Sequence, residues 1–283
     1  MSIRRSTSSR ARSGSPARPC YAFWMKLGSF FRRAQPRLRT WIYNAAYRLA
    51  PSLDGNPFPP AKLVDLVIGT RELAWYQLGG LFMHQAIATL LRRHGRPIES
   101  HKTILDFGCG CGRIIRWWGS LKGHCRIYGT DYNPELVTWC SRNLGDFAEF
   151  SVNQSDPPLP YADGQFSLIY SYSVLTHLSR DRQEPWLREL ARVTAPDGLL
   201  VLTVHGRRCA MRMQFTSDQL AELEREGIVV FAEDRSGENI CGAYHSETYM
   251  RGLGHLGLEL LEFLPGGARD SSEQDLYLFR RTA

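Results

Sequence analysis

Between residues 103 and 204 the chain alternates short apolar runs with segments of helical period. Thr103–Phe107, Arg126–Thr130, Ala148–Val152, Phe166–Tyr170 and Leu199–Val204 each read as a buried strand, short, apolar and bounded by turn residues. Between them the pattern predicts helices near Ile114–Trp118, from about Pro134 to Arg142 and from about Arg182 to Val193, with Pro134 suited to a first helical position. Pro196, Asp197 and Gly198 mark a turn before the fifth strand. Strands that alternate with helices pair in parallel, because each crossover returns the chain to the same end of the sheet. The expected fold is α/β: a doubly wound, mostly parallel sheet with helices on both faces.

The flanks add to this core. Leu63, Leu66 and Val67 fall at one helical spacing, and a second helix is predicted from about Leu78 to Arg93 with Leu81, Phe82, Ala86, Leu90 and Leu91 on one face. Residues 51–60 hold four prolines and an Asp-Gly step, and read as a linker. Residues 206–244 exceed an ordinary connection after strand five, and insertions at this edge often form lids. The insertion carries its own helix, Ser217–Arg225 with Ser217 as the cap, and a short strand at Ile228–Phe231. A helix near Ser246–Leu253 and two closing strands, Leu258–Leu264 and Asp275–Arg280, bring the sheet to seven strands. The expected organisation is a disordered basic arm over 1–23, a basic and aromatic segment with linker over 24–60, and one catalytic-sized domain over 61–283.

Charge sharpens this division. The net charge is +7, yet residues 1–50 hold 11 Lys and Arg and no acid, leaving 24 basic and 28 acidic residues for the rest, a net of −4. The basic character belongs to the arm, so no nucleic-acid surface is expected on the main body. An Arg-rich, Ser-rich, acid-free start also fits an organelle transit peptide, or translation beginning at Met25. Residues 24–50 set Trp24, Phe30, Phe31, Trp41, Tyr43 and Tyr47 against Arg32, Arg33, Arg37, Arg39 and Arg48, which would allow weak peripheral membrane contact. Packing on the domain is the competing reading, and Pro36 interrupts any long helix. Seven scattered cysteines, with no C-x-x-C pair, fit reduced thiols in the cytoplasm and give no zinc or redox motif.

The chemistry concentrates where strand one meets the next helix, at Ile104 to Arg113. Gly108, Gly110 and Gly112 permit tight turning and close approach of backbone to a ligand. Dinucleotide folds place a glycine three residues after the second, where this chain has Arg113. Asp106, two residues before the first glycine, would repel a pyrophosphate and suit a cationic ligand. These residues resemble the first motif of the class I S-adenosylmethionine-dependent methyltransferases, and the resemblance runs from about residue 60 through most of the chain. Gly129 to Asn133 resemble that family's second motif, Leu159 to Ser167 its loop into strand four, and Val193 to Leu199 its turn before strand five. Two departures stand out: Ser167 where members usually carry Asp, and Asp197 where many carry Gly.

The resemblance implies S-adenosylmethionine as cofactor on a seven-stranded Rossmann-like sheet. Asp131, 19 residues past Gly112, would accept both ribose hydroxyls and Tyr132 would pack on the adenine. Asn153 is the candidate for the adenine amino group, with Gln154 to Asp156 competing. Cys109 in the loop and Ser171 at the end of strand four complete the implied cofactor contacts. Backbone N–H groups at a helix start near Gly110–Arg113 would take the methionine carboxylate. Pro157 and Pro158 precede strand four rather than follow it, which argues against methylation of base amino groups. The expected acceptor is a small molecule bearing a hydroxyl, with His177 after strand four and His205 after strand five as candidate general bases. Tyr244 and His245 rank below them, and Trp75, Tyr76 and Gln77 are candidates to cap the pocket. No metal constellation is expected. The rival reading is an NAD(P)-dependent oxidoreductase or epimerase; another is a non-enzymatic adaptor using the basic arm.

Overall fold

A computed structural model describes residues 44–45, 47, 52–238, 240–268 and 273–282. The expected disordered arm and most of the basic and aromatic segment, with its proposed membrane contact, lie outside the described residues. Seven strands form the main sheet: β1 (Thr103–Phe107), β2 (Arg126–Asp131), β3 (Glu149–Val152), β4 (Phe166–Ser171), β5 (Thr194–Val204), β8 (Leu258–Leu264) and β9 (Asp275–Arg281). β6 (Ile228–Phe231) and β7 (Gly242–His245) pair antiparallel beside it. The order is β3-β2-β1-β4-β5-β9-β8, parallel except for β9, which runs against both β5 and β8. The order reverses between β1 and β4, so the crevice at the carboxyl ends of β1, β2 and β4 is where such a sheet takes its ligand.

The helices are α1 (Ala61–Ile68), α2 (Leu73–Arg93), α3 (Pro134–Leu144), α4 (Arg180–Val193), α5 (Arg207–Arg212), α6 (Ser217–Glu226) and α7 (Glu247–Arg251). Strand side chains alternate between faces, and the two cores follow from that period. Ile104, Leu168, Leu199, Val201 and Leu278 pack with α2 and α3, whereas Leu105, Ile169, Leu200, Leu202 and Phe279 pack with α4. Asn133 caps α3 by accepting from the Glu135 and Leu136 amides, with Pro134 in the first turn. Among the described residues no helix is long and apolar enough to cross a membrane.

Several expectations need correction. The helix expected near Ile114–Trp118 is a 3-10 helix over Ile115–Leu121, and residues 110–114 are turns, so no α-helix begins at Gly110–Arg113. Pro196, Asp197 and Gly198 do not precede β5; they lie inside it, where the register with β4 jumps and Asp197 takes φ 59°. Such a bulge adds residues to one strand without ending it. Thr216, not Ser217, caps α6: its hydroxyl accepts from the Gln219 amide, and the Gln219 side chain accepts from the Thr216 amide. On α1 Leu63 and Val64 are buried while Leu66 is exposed; on α2 Phe82 is exposed and Met83 and Ile87 take its place in the core. Residues 52–60 are not a free linker. Asp54 makes a buried ion pair with Arg116.

Candidate functional site

The glycine-rich loop follows β1 and is bent by three left-handed residues: Gly108 (φ 77°), Gly110 (φ 55°) and Gly112 (φ 79°). Space also demands glycine. A Cβ on Gly108 would lie 2.1 Å from Val174 Cγ2, and one on Gly112 would lie 2.4 Å from Leu144 Cδ1. The Gly108 and Cys109 amides both donate to the Thr130 carbonyl, at 2.8 and 2.9 Å, which binds the loop to the tip of β2. The Cys109 side chain is buried beside Cys140, whose thiol donates to the Gly110 carbonyl at 3.4 Å. The neighbouring Cys140 thiol, then burial, push the Cys109 pKa up, so it stays a thiol.

Asp131 ends β2 and reaches back to this loop. Its Oδ2 accepts from the Gly110 amide at 2.9 Å and its Oδ1 from the Asn133 amide at 2.9 Å. Burial pulls its pKa up while these two bonds pull it down, and burial prevails. Each carboxylate oxygen keeps a second lone pair for a ligand hydroxyl. Tyr132, next along, is 49% exposed, which leaves its ring accessible. Asn153 is committed within the protein: its Oδ1 accepts from the Thr130 hydroxyl at 2.9 Å and its Nδ2 donates to the Gln154 carbonyl at 2.7 Å.

Asp106 sits deeper, only 2% exposed. It accepts from the Tyr170 hydroxyl at 3.1 Å, and that hydroxyl in turn accepts from Trp118 Nε1 at 3.1 Å. Burial is the main cause that pushes the Asp106 pKa up to about 8, with the Asp131 charge adding and Tyr170 and the Ile115 amide opposing. A carboxyl in that state keeps its proton at neutral pH and ionises when a cation is placed beside it. Ser171, at the end of β4, has a buried hydroxyl with no partner among the described residues. An orphaned buried hydroxyl beside a crevice is a donor awaiting an acceptor.

A second group gathers at the ends of β4 and β5. The His177 and His205 rings lie 6.4 Å apart. His177 Nδ1 is 2.8 Å from the Cys241 carbonyl. A carbonyl only accepts, so Nδ1 carries the hydrogen and the neutral ring keeps its lone pair on Nε2. Burial holds its pKa below the ordinary 6.5, against the Cys241 bond. Burial, then the His177 and Arg212 charges, bring His205 down to about 4. Its Nδ1 is buried without a partner among the described residues. The Tyr244 ring lies 5.1 Å from His205, tilted by 35°, and Phe215 lies 4.6 Å from Tyr244. His245 is fully buried and bonded to Gln183 Oε1 at 3.0 Å, which makes it a core residue.

The insertion forms the roof of this second group. The Gly237 amide donates to the His177 carbonyl at 2.6 Å, and the Ser179 amide to Ser236 Oγ at 2.8 Å. Gly237 also lies near Tyr132, and so bridges the residue after β2 to His177. The short α5 was not legible in the sequence. The residues that brace the glycine-rich loop from below, Asp54, Tyr76 and Arg116, were also missed as a set; only Tyr76 stood out, as an aromatic near the pocket. Among the described residues no group of three or more His, Cys, Asp and Glu is placed to hold a metal.

A family profile described as "Methyltransferase domain" matches residues 105–202, the stretch from within β1 to within β5. Residues 105–202 thus carry a methyltransferase domain, of the class I S-adenosylmethionine-dependent kind. It is similar to the methyltransferase GfsG of Streptomyces halstedii, 29% identical over 179 residues, covering 62% of this chain and 56% of that one. It is also similar to the tRNA (carboxymethyluridine(34)-5-O)-methyltransferase of Arabidopsis thaliana, 32% identical over 108 residues, 38% of this chain and 25% of that one. The chain thus spans about half of the first relative and a quarter of the second. Among solved structures it resembles the Burkholderia thailandensis 1,6-didemethyltoxoflavin-N1-methyltransferase, with bound 1,6-didemethyltoxoflavin and S-adenosylhomocysteine. That likeness has a TM-score of 0.51 at 17% identity and covers 80% of this chain and 92% of that one; it is a likeness of fold.

Proposed function

We propose that this methyltransferase binds S-adenosylmethionine in the crevice between β1, β2 and β4 and methylates a hydroxyl oxygen of a small molecule. The observation that carries the reading is the Gly110–Asp131 bond, which sets a carboxylate against a glycine loop built on left-handed residues. With Asp106 beneath it, the loop sets two acids, one of them ready to ionise beside a cation, where a dinucleotide site needs positive charge. That favours a cationic nucleoside over NAD(P).

Asp131 holds the ribose hydroxyls and Tyr132 covers the adenine. Asn153 serves the adenine edge through its second Nδ2 hydrogen. Gly108, Cys109, Gly110 and Gly112 supply the backbone against which the ligand lies, and Asp106 and Ser171 face its amino-acid end. When bound, S-adenosylmethionine supplies an electrophilic methyl carbon on a sulfonium. The protein's contribution is to position, to exclude water and to handle one proton. His177 Nε2 takes that proton from the acceptor hydroxyl, while Nδ1–H stays on the Cys241 carbonyl and keeps the ring aimed. His205, neutral and 6.4 Å away, is the alternative base or a hydrogen-bond partner for the acceptor.

The acidic body favours a small acceptor over RNA. The domain organisation follows the same reading: a catalytic domain over 61–283, with 206–244 as its lid, preceded by a basic arm. Methyl uptake from labelled S-adenosylmethionine into fractionated metabolites and total tRNA tests the acceptor. Label in a hydroxyl-bearing metabolite is expected. Label confined to tRNA, as the name of one relative implies for that protein, or to an amine, overturns the acceptor and keeps the cofactor.

A further inference from the structure

The matched stretch begins at residue 105, but the glycine-rich loop is not self-supporting. Three residues of the segment before β1 press on it in succession. Val67 of α1 lies against Gly110, where a Cβ would come within 2.9 Å of its Cγ2. The Tyr76 hydroxyl donates to the Cys111 carbonyl at 2.6 Å. Gly80 of α2 sits so close to the Arg113 carbonyl that a Cβ there would lie 2.0 Å from the oxygen.

Tyr76 is itself held. The Arg116 guanidinium lies over the Tyr76 ring at 5.6 Å and over Phe58 at 5.6 Å. Its Nε donates to Asp54 Oδ2 at 2.6 Å and its Nη2 to Asp54 Oδ1 at 2.9 Å, with Nη2 also on the Asn56 carbonyl at 2.9 Å. Both side chains are buried, at 0% and 4% exposure. A buried pair of this kind adds little net stability but fixes geometry. Here the geometry fixed is the orientation of the Tyr76 ring, and through it the peptide after Cys111.

Resting on the cofactor reading above, we propose that Tyr76 is a positioning residue for S-adenosylmethionine: its hydroxyl pins the Cys111 carbonyl, the Asp54–Arg116 pair pins Tyr76, and residues 54–80 thereby belong to the cofactor site. The Cys111 peptide joins Gly110, whose amide reaches Asp131, to Gly112, whose left-handed turn leads into the 3-10 helix. A carbonyl freed from Tyr76 lets this peptide rotate and takes the Gly110 amide out of line with Asp131.

The test compares the full chain with Tyr76→Phe and Asp54→Asn. Tyr76→Phe keeps the buried ring and removes one oxygen. Calorimetric titration with S-adenosylhomocysteine is expected to weaken roughly tenfold in Tyr76→Phe, the scale of one hydrogen bond. With labelled S-adenosylmethionine the KM for the cofactor rises while kcat at saturation and the acceptor KM hold. The double variant is expected to lose less than the product of the single losses, because both act on one peptide. Melting temperature is recorded for each. If Tyr76→Phe and Asp54→Asn lower the melting temperature but bind the ligand as the parent does, the segment is plain core and the proposal fails while the cofactor reading stands. If the parent chain binds no S-adenosylhomocysteine, the cofactor reading itself fails.

Discussion

The Gly110 amide donates to Asp131 Oδ2 at 2.9 Å, and this bond ties the loop after β1 to the tip of β2. It shapes the loop and, in the proposed function, sets where a ribose is held. Asp131→Ala removes the acceptor for two backbone amides as well as the ribose contact. A loss of roughly 10- to 150-fold in cofactor affinity is expected, from 1.5–3 kcal/mol for hydrogen bonds to a charged group. Asp131→Asn keeps one oxygen and is expected to fall between. Calorimetric titration with S-adenosylhomocysteine reads both.

Asp106 titrates at about 8 in the folded chain, against an ordinary 3.8. Between those values the folded state keeps a proton that the unfolded chain has lost, so stability falls as pH rises from about 4 to about 8. Asp106→Asn is expected to flatten that slope in urea midpoints measured across the window. A cationic ligand beside Asp106 favours its ionised form. Cofactor binding at pH 7 is therefore expected to release a proton, seen as a dependence of binding enthalpy on buffer ionisation enthalpy. Asp106→Asn removes the dependence, and no dependence in the parent places the cation elsewhere.

His177→Gln is expected to lower kcat by roughly 10²- to 10⁴-fold while cofactor affinity holds, as for loss of a general base. Its pKa is lowered by burial, so the ring is neutral at pH 7 and the inflection in the rate is expected below 6.5. A pH–rate profile with an inflection above 7 that survives His177→Gln moves the base elsewhere, His205 first.

Gly108→Ala forces a left-handed alanine and drives its methyl to 2.1 Å from Val174 Cγ2. Strain and overpacking together are expected to cost about 2–4 kcal/mol. Val174→Ala in the same chain relieves the contact but not the φ, so partial recovery of the melting temperature is expected. Full recovery means the backbone strain is negligible.

The sheet was legible because its strands are apolar on both faces and its helices keep one stripe; Ile104 and Leu105 are both buried, on opposite sides. Asp106 and Asp131 were legible because each lies at a fixed distance from a glycine in one βαβ unit. What escaped depends on distant partners. Asp54 reads as part of a proline-rich linker until Arg116, 62 residues on, is brought to it. Asp197 reads as a turn because nothing local says that β4 continues pairing on both sides of it. Ser217 and Thr216 are both good caps, and only the reach of Gln219 decides between them. Leu66 and Phe82 share the period of core residues, but the helices turn them to the outside.

One titration bears most directly on the whole reading: the full chain against S-adenosylmethionine and, separately, NADPH, with the Asp131→Ala variant beside it. Saturable binding of one S-adenosylmethionine per chain, lost in Asp131→Ala, with no NADPH binding, is the expected result. Tight NADPH binding, or S-adenosylmethionine binding that Asp131→Ala leaves intact, refutes the site described between β1, β2 and β4.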